Sequence, residues 1–203
     1  MDSKLGCFNN QPIKSDYMFL APKRPLFSQS LKKPMNDIEK LIAREKIERQ
    51  LYKYCRSLDQ KDWQALRACF GEEHVHKHGS YTGDLDGFIH FAKQVGERMH
   101  VAHHSISNLM VDVGDDLLSA TTQAYFSAVH KIDGSKISEM YFFTDDIEEV
   151  DSDWMVAGYY NDRWIFRDEK WLIVERNARH VWERLAPITP EILWYLYRCL
   201  SFS

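Results

Sequence analysis

The sequence has no apolar run approaching the ~20 residues that a membrane-spanning helix requires, and its start carries no secretory leader pattern. Those absences predict a cytoplasmic chain with no membrane partner. Basic residues are not in surplus either: 26 Lys and Arg stand against 30 Asp and Glu, a net charge of −4. No basic stripe is available to neutralise a phosphate backbone, which excludes nucleic acid as the main partner. Cysteine is scarce, and Cys7, Cys55, Cys69 and Cys199 show no CxxC spacing. Cys55 and Cys69 fall in helical patterns and are expected as reduced, half-buried thiols. A glycine-rich phosphate loop, a Gly-x-Ser-x-Gly elbow and a metalloprotease helix motif are all missing, so chemistry without a cofactor is expected. There is no internal repeat.

What is present divides into two parts. Residues 1–35 mix Asn, Ser, Lys and four prolines (Pro12, Pro22, Pro25, Pro34) without sustained periodicity. They read as a poorly ordered arm, or a strap across a neighbouring subunit. Residues 36–203 suit one domain, since domains commonly run ~100–200 residues. Asn36 or Asp37 can cap a first helix, with Glu39 placed as in a capping box. Its later turns carry Ile47, Leu51, Tyr54, Cys55 and Leu58 at helical spacing, and Asp59 breaks that apolar stripe at its C-terminal end. A second short helix is expected over about 61–70, stopped by Gly71. His74 to Tyr81 reads as a short strand and turn, and Asp84 to Val95 as a third helix.

From Val101 the period changes to two. Segments 103–113, 119–131, 137–144, 155–167 and 171–182 are β-rich, with turn signals at Gly114-Asp115 and Asp133-Gly134. The acidic stretch Asp145 to Asp153 reads as a loop, and Thr189-Pro190 as the start of a last short helix. Helices first and long antiparallel strands afterwards indicate α+β, with helices on one face of a curved sheet.

Three short motifs occur in order along this pattern. The first helix ends in Tyr54, Leu58, Asp59, Asp62 and Trp63; a strand opens with His103, His104, Ile106 and Asn108; and Gly158, Tyr160, Asp162 and Arg163 precede Trp171 and Arg176. Together they resemble the SnoaL-like branch of the nuclear transport factor 2-like superfamily, over about residues 36–183. The resemblance implies a conical barrel: a strongly curved antiparallel sheet with N-terminal helices closing an apolar pocket. The superfamily includes scytalone dehydratase, bile-acid dehydratase, hexachlorocyclohexane dehydrochlorinase and ketosteroid isomerase. It also includes non-catalytic small subunits of aromatic-ring dioxygenases, so the fold does not decide the function.

The resemblance also brings residues together. In the dehydrochlorinase and the bile-acid dehydratase the aspartate matching Asp59 hydrogen-bonds a histidine from the sheet, which implies an Asp59–His104 pair. Alternation along 103–111 puts His104, Ile106, Asn108 and Met110 on one face and His103 on the other; His103 remains an alternative base. A positioned neutral imidazole can take a proton near neutral pH. Tyr54 lies on the buried stripe and could donate to a leaving hydroxyl or an oxyanion, or simply pack. Arg176 matches a pocket arginine of the dehydrochlorinase; if inward it needs a carboxylate or a polar substrate group, and Arg179 is the alternative.

His74, His76 and His78 alternate and would share one strand face. A metal is disfavoured there, because same-face neighbours sit ~7 Å apart and no carboxylate completes the set. His78, in His78-Gly79-Ser80-Tyr81, is instead a candidate substrate contact, with Asn108 and Tyr160. The expectation is a cofactor-independent dehydratase-type lyase, or an isomerase, acting on a hydrophobic hydroxylated cyclic or aromatic metabolite. Asp59, His104, Tyr54 and Arg176 would form the catalytic set. The alternative is a non-catalytic ligand-binding or structural subunit. A homodimer or homotrimer is implied by relatives.

Overall fold

The computed structural model describes residues 34–78, 81–139 and 148–188, all within one compact unit, Lys33–Ser203. The expected arm over 1–35 lies outside the described residues except for Pro34 and Met35, which already belong to the first helix. The expected C-terminal helix from Thr189 lies outside them too.

Helix α1 runs Pro34–Asp59. It therefore begins before the expected Asn36 cap, with a proline in its first turn, where the missing N–H costs nothing. Ala43, Ile47, Leu51, Tyr54 and Cys55 face the core at three- and four-residue steps. Its end is fixed by backbone geometry. Lys61 adopts a left-handed φ of 54°, and the Asp62 N–H reaches back to the Ser57 carbonyl at 2.9 Å. That pattern closes a helix with the usual glycine replaced by lysine. The Lys61 ammonium is held in turn by the Met99 carbonyl at 2.7 Å.

Helix α2 is one turn, Trp63–Arg67, capped by Asp62 through the Ala65 N–H. It stops at Ala68, and Gly71 lies inside strand β1 (Phe70–His78) instead of ending the helix. Strand β2 (Tyr81–Asp84) leads into α3 (Leu85–Gly96), which Asp84 caps through the Gly87 N–H. Four long elements follow: β3 (Met99–Val113), β4 (Ser119–Ile132), β5 (Ser152–Arg167) and β6 (Lys170–Pro187). Of the strand expected at 137–144, residues 137–139 belong to a 3₁₀ turn over Gly134–Glu139, and 140–147 lie outside the described residues.

The fold is α+β. Among the described residues six strands make one curved, unclosed sheet in the order β2-β1-β6-β5-β4-β3. Neighbours are antiparallel except β1 and β6, which run parallel. β4 alternates buried and exposed almost without interruption, putting Phe126, Ala128 and His130 on the helix side. Gly158 of β5 marks a close approach: a Cβ there would lie 2.0 Å from the Arg179 carbonyl oxygen, beside an irregularity in the β5–β6 register. Among the described residues no helix is long and apolar enough to cross a membrane.

Candidate active site

A cavity of about 250 Å³ lies between α1, α2 and α3 and the sheet. Its apolar walls come from Leu58, Trp63, Phe88, Phe91, Val95, Met99, Phe126 and Trp154. Its polar groups are His78, His104, His130, His180, Tyr54, Tyr160 and Glu183. A mostly apolar hollow with a few convergent polar groups is the usual form of a small-molecule site.

Asp59, the last residue of α1, meets the sheet at His104. Its Oδ1 is 2.6 Å from His104 Nδ1, and both carboxylate oxygens lie 3.1 Å from the His104 backbone N–H. The second contact has a topological cause. Among the described residues β3 is the edge of the sheet, so its outward N–H groups have no strand partner there, and the carboxylate at the end of α1 takes one. The same donors offset the negative end of the helix dipole, which disfavours an acid at this position. With Nδ1–H given to Asp59, the imidazole keeps its lone pair on Nε2. His103 is exposed, its ring 3.5 Å from the Ser105 hydroxyl, so His104 is the inward member of the pair.

Arg176 and Asp162 occupy paired positions of β6 and β5 on the inner face. Nε and Nη2 donate to the two carboxylate oxygens at 2.7 and 2.6 Å, and neither side chain is exposed. The guanidinium carbon sits 4.1 Å from the ring centroids of both Tyr54 and Tyr160. Burial works against the charge, but Asp162 outweighs it and holds the arginine above its ordinary pKa. Arg176 is not part of the cavity lining. Of the two partners open to an inward Arg176, a carboxylate or a polar substrate group, the structure shows the carboxylate of Asp162, and two tyrosine rings flank the guanidinium. Arg179 is exposed.

Tyr54 and Tyr160 do line the cavity. Both hydroxyls are buried and make no hydrogen bond of good geometry, although they interact with each other and Tyr54 with the Arg176 guanidinium. Burial raises the Tyr54 phenol to about 12 and Tyr160 well above its ordinary value, so both stay protonated. Tyr160 stacks on Phe126 with ring centroids 4.3 Å apart.

Asn108 is not brought to the site. It is exposed at a left-handed φ of 49°, where the β3–β4 register slips between Ser107 and Met110. The bulge inverts the alternation. His104 and Ile106 face inward before it, Leu109 and Val111 after it, and Met110 points out.

The histidine row of β1 does face inward, and its rings touch. His74 Nε2 is 2.9 Å from His76 Nδ1, and His76 Nε2 is 3.5 Å from His78 Nδ1. His78 reaches the cavity wall, edge-on to His180 at 5.3 Å. Burial lowers His74 to about 4 and His130 to about 3, and pushes His76 and His78 well below the usual range. His130 and His180 were not singled out from the sequence. The alternation of β4 through Phe126 and Ala128 is the signal that points His130 inward.

A family model described as a SnoaL-like domain matches residues 39–177. Several solved structures share the fold at low identity. One is a candidate scytalone dehydratase from Novosphingobium aromaticivorans, at 20% identity, 76% of this chain, 97% of that chain and a TM-score of 0.59. Another is a type 3 hexachlorocyclohexane dehydrochlorinase from Novosphingobium barchaimii, at 15% identity, 76% and 95% coverage and a TM-score of 0.59. A third is a candidate aromatic ring hydroxylase from Novosphingobium aromaticivorans, at 17% identity, 73% and 94% coverage and a TM-score of 0.57. No curated protein matches the chain.

Proposed function

The chain belongs to the SnoaL-like domain family, and from that premise we propose that it is a cofactor-independent lyase of the dehydratase type, acting on a hydrophobic hydroxylated ring compound. The observation that carries the reading is the 2.6 Å Asp59–His104 bond at the wall of a mostly apolar cavity. Likeness in fold to structures named as a dehydratase and a dehydrochlorinase supports an elimination, the reaction class the two names share.

His104 Nε2 takes a proton from a carbon next to an activating group. The C–H electron pair forms the new double bond, and the neighbouring C–O bond breaks. The hydroxyl leaves as water after receiving a proton from Tyr54, whose phenol is protonated at any ordinary pH. Asp59 holds the ring and stabilises the imidazolium until its proton returns to solvent, while the Tyr54 phenol is reprotonated from solvent. Tyr160 and His78 contact the substrate. Arg176 acts through the tyrosines it flanks. An isomerase would use the same base and return the proton to another carbon. At about 250 Å³ the cavity lies just below the ~300–1,000 Å³ usual for ligand pockets. One- and two-ring compounds fit that size better than four-ring ones.

The test is incubation with a panel of hydroxylated one- and two-ring ketones and phenols, with steroids as a larger comparison, followed by mass spectrometry in D₂O. Loss of water, or deuterium incorporation at the acidic carbon, is the expected result. Ligands that bind but neither lose water nor exchange would identify a binding protein instead.

A further inference from the structure

Three successive inward residues of β1 form a column of imidazoles, of which the reaction above uses only His78. His74, His76 and His78 meet nitrogen to nitrogen, at 2.9 and 3.5 Å. Phe70 packs on His74, and Phe88 stacks on His76 at 3.5 Å between centroids, so these two rings are held in place.

A bond between two neutral imidazoles needs one N–H and one lone pair. Three neutral rings in a row therefore have two unbroken arrangements: every ring donates toward the cavity, or every ring donates away from it. The far end distinguishes them. His74 Nδ1 is buried with no hydrogen-bond partner. If the protons run away from the cavity, that atom is an N–H with nowhere to go. If they run toward it, the atom is only an unused lone pair. A buried orphan N–H is the rarer and costlier fault. Backbone groups of Ile173 and Val174 near the ring favour a proton on it, but neither meets Nδ1 in hydrogen-bond geometry. We propose that His74 and His76 are positioning residues that fix His78 as a neutral Nε2–H donor at the cavity wall.

The cavity then presents opposite imidazole faces to one ligand. His104 offers a lone pair, because Asp59 takes its Nδ1–H, and His78 offers an N–H. Such a pair selects an uncharged ring compound with a carbonyl or hydroxyl oxygen on the His78 side and an acidic hydrogen on the His104 side. Burial keeps the column neutral, which preserves this polarity near pH 7. The inference rests on the proposed site for its ligand, but the state of the column is measurable without turnover.

The test is a ring ¹H–¹⁵N correlation spectrum of the full chain labelled at histidine, with peaks assigned by His74→Gln, His76→Phe and His78→Gln. His74, His76 and His78 should each show a protonated Nε2 and a bare Nδ1, and His104 the reverse. A protonated Nδ1 on His78, or an imidazolium at pH 7, overturns the proposal. In His76→Phe, His78 should relax to a mixture of both tautomers; an unchanged His78 pattern in the folded variant removes His76's role. If that variant does not fold, the spectrum of the unaltered chain still decides the tautomer. Binding of 1-tetralone and of tetralin, which lacks the carbonyl, tests recognition. The ketone should bind about tenfold tighter, as one hydrogen bond implies, and His78→Phe should erase the difference. Equal binding to the unaltered chain contradicts the recognition step. The predicted tautomers without any elimination activity would leave the column standing and refute only the reaction.

Discussion

Asp162 and Arg176 face each other at paired positions of β5 and β6, joined by bonds of 2.7 and 2.6 Å in a place that water does not reach. A buried charge left alone is far more costly than a buried pair. Asp162→Asn should therefore lower unfolding free energy by roughly 3–5 kcal/mol in urea titrations. Replacing both residues with apolar ones of similar volume (Asp162→Leu with Arg176→Met) should recover most of that loss. A single variant that unfolds at the wild-type midpoint would show that the ion pair is not buried as described.

Tyr54 gives a prediction of the opposite kind. Its buried hydroxyl makes no hydrogen bond of good geometry and only weak polar contact with Tyr160 and Arg176, so Tyr54→Phe should change thermal stability little, by ~1 kcal/mol or less. If the phenol protonates the leaving oxygen, kcat should nevertheless fall by about 10²-fold. Full activity in a stable Tyr54→Phe would assign the residue to packing.

Acid should unfold the protein steeply. An unfolded histidine titrates near ~6.5, whereas folded His130 stays neutral to about 3 and folded His74 to about 4 because burial disfavours the cation. With the folded values depressed, the unfolded chain binds more protons between these limits. Stability is then complete above ~6.5 and is lost as pH falls toward the folded values. Each such histidine should remove roughly 2 kcal/mol by pH 5, and His76 and His78 act in the same direction. Thermal midpoints measured between pH 7.5 and 5 check the slope; a flat profile would contradict neutral burial.

Gly158 should tolerate no side chain. A methyl group would meet the Arg179 carbonyl oxygen at 2.0 Å, and the obstacle is backbone that cannot rotate away. Gly158→Ala should cost ~1–3 kcal/mol or more, as overpacking does, read from the same urea titrations.

The sequence made the helices and long strands legible because their periods are long and clean, as in the apolar stripe from Ile47 to Leu58. It hid what depends on single irregularities. The left-handed residue at Asn108 inverts β3 beyond it, and no local signal marks that bulge, so Asn108 and Met110 were expected inward. Similarly, Val174 stands at a register slip between β5 and β6 and is buried along with Ile173, which breaks simple alternation before Arg176. The need of Arg176 for a partner could be read from its apolar neighbours, but only the β5–β6 register names Asp162. Side-chain tilt was equally invisible. A spacing of ~7 Å along one strand face speaks against one shared metal ion, but it does not show that the β1 rings lean together until their nitrogens meet. Asp59 and His104, 45 residues apart, were joined through family resemblance and not through periodicity.

The pairing of Asp59 with His104 also predicts a graded loss. Asp59→Asn keeps a hydrogen-bonding group at the end of α1 but can no longer stabilise the imidazolium. It should lower kcat by about 10²-fold or more and leave KM nearly unchanged. An equal rise in KM would point to lost binding instead.

The most direct measurement of the central claim is deuterium exchange at the acidic carbon of a panel ligand that the wild-type protein turns over, with His104→Ala compared at equal saturation. Proton abstraction by His104 predicts that the variant still binds the ligand while exchange and water loss fall together by about 10²–10⁴-fold. Exchange at the wild-type rate in a folded His104→Ala would contradict the account.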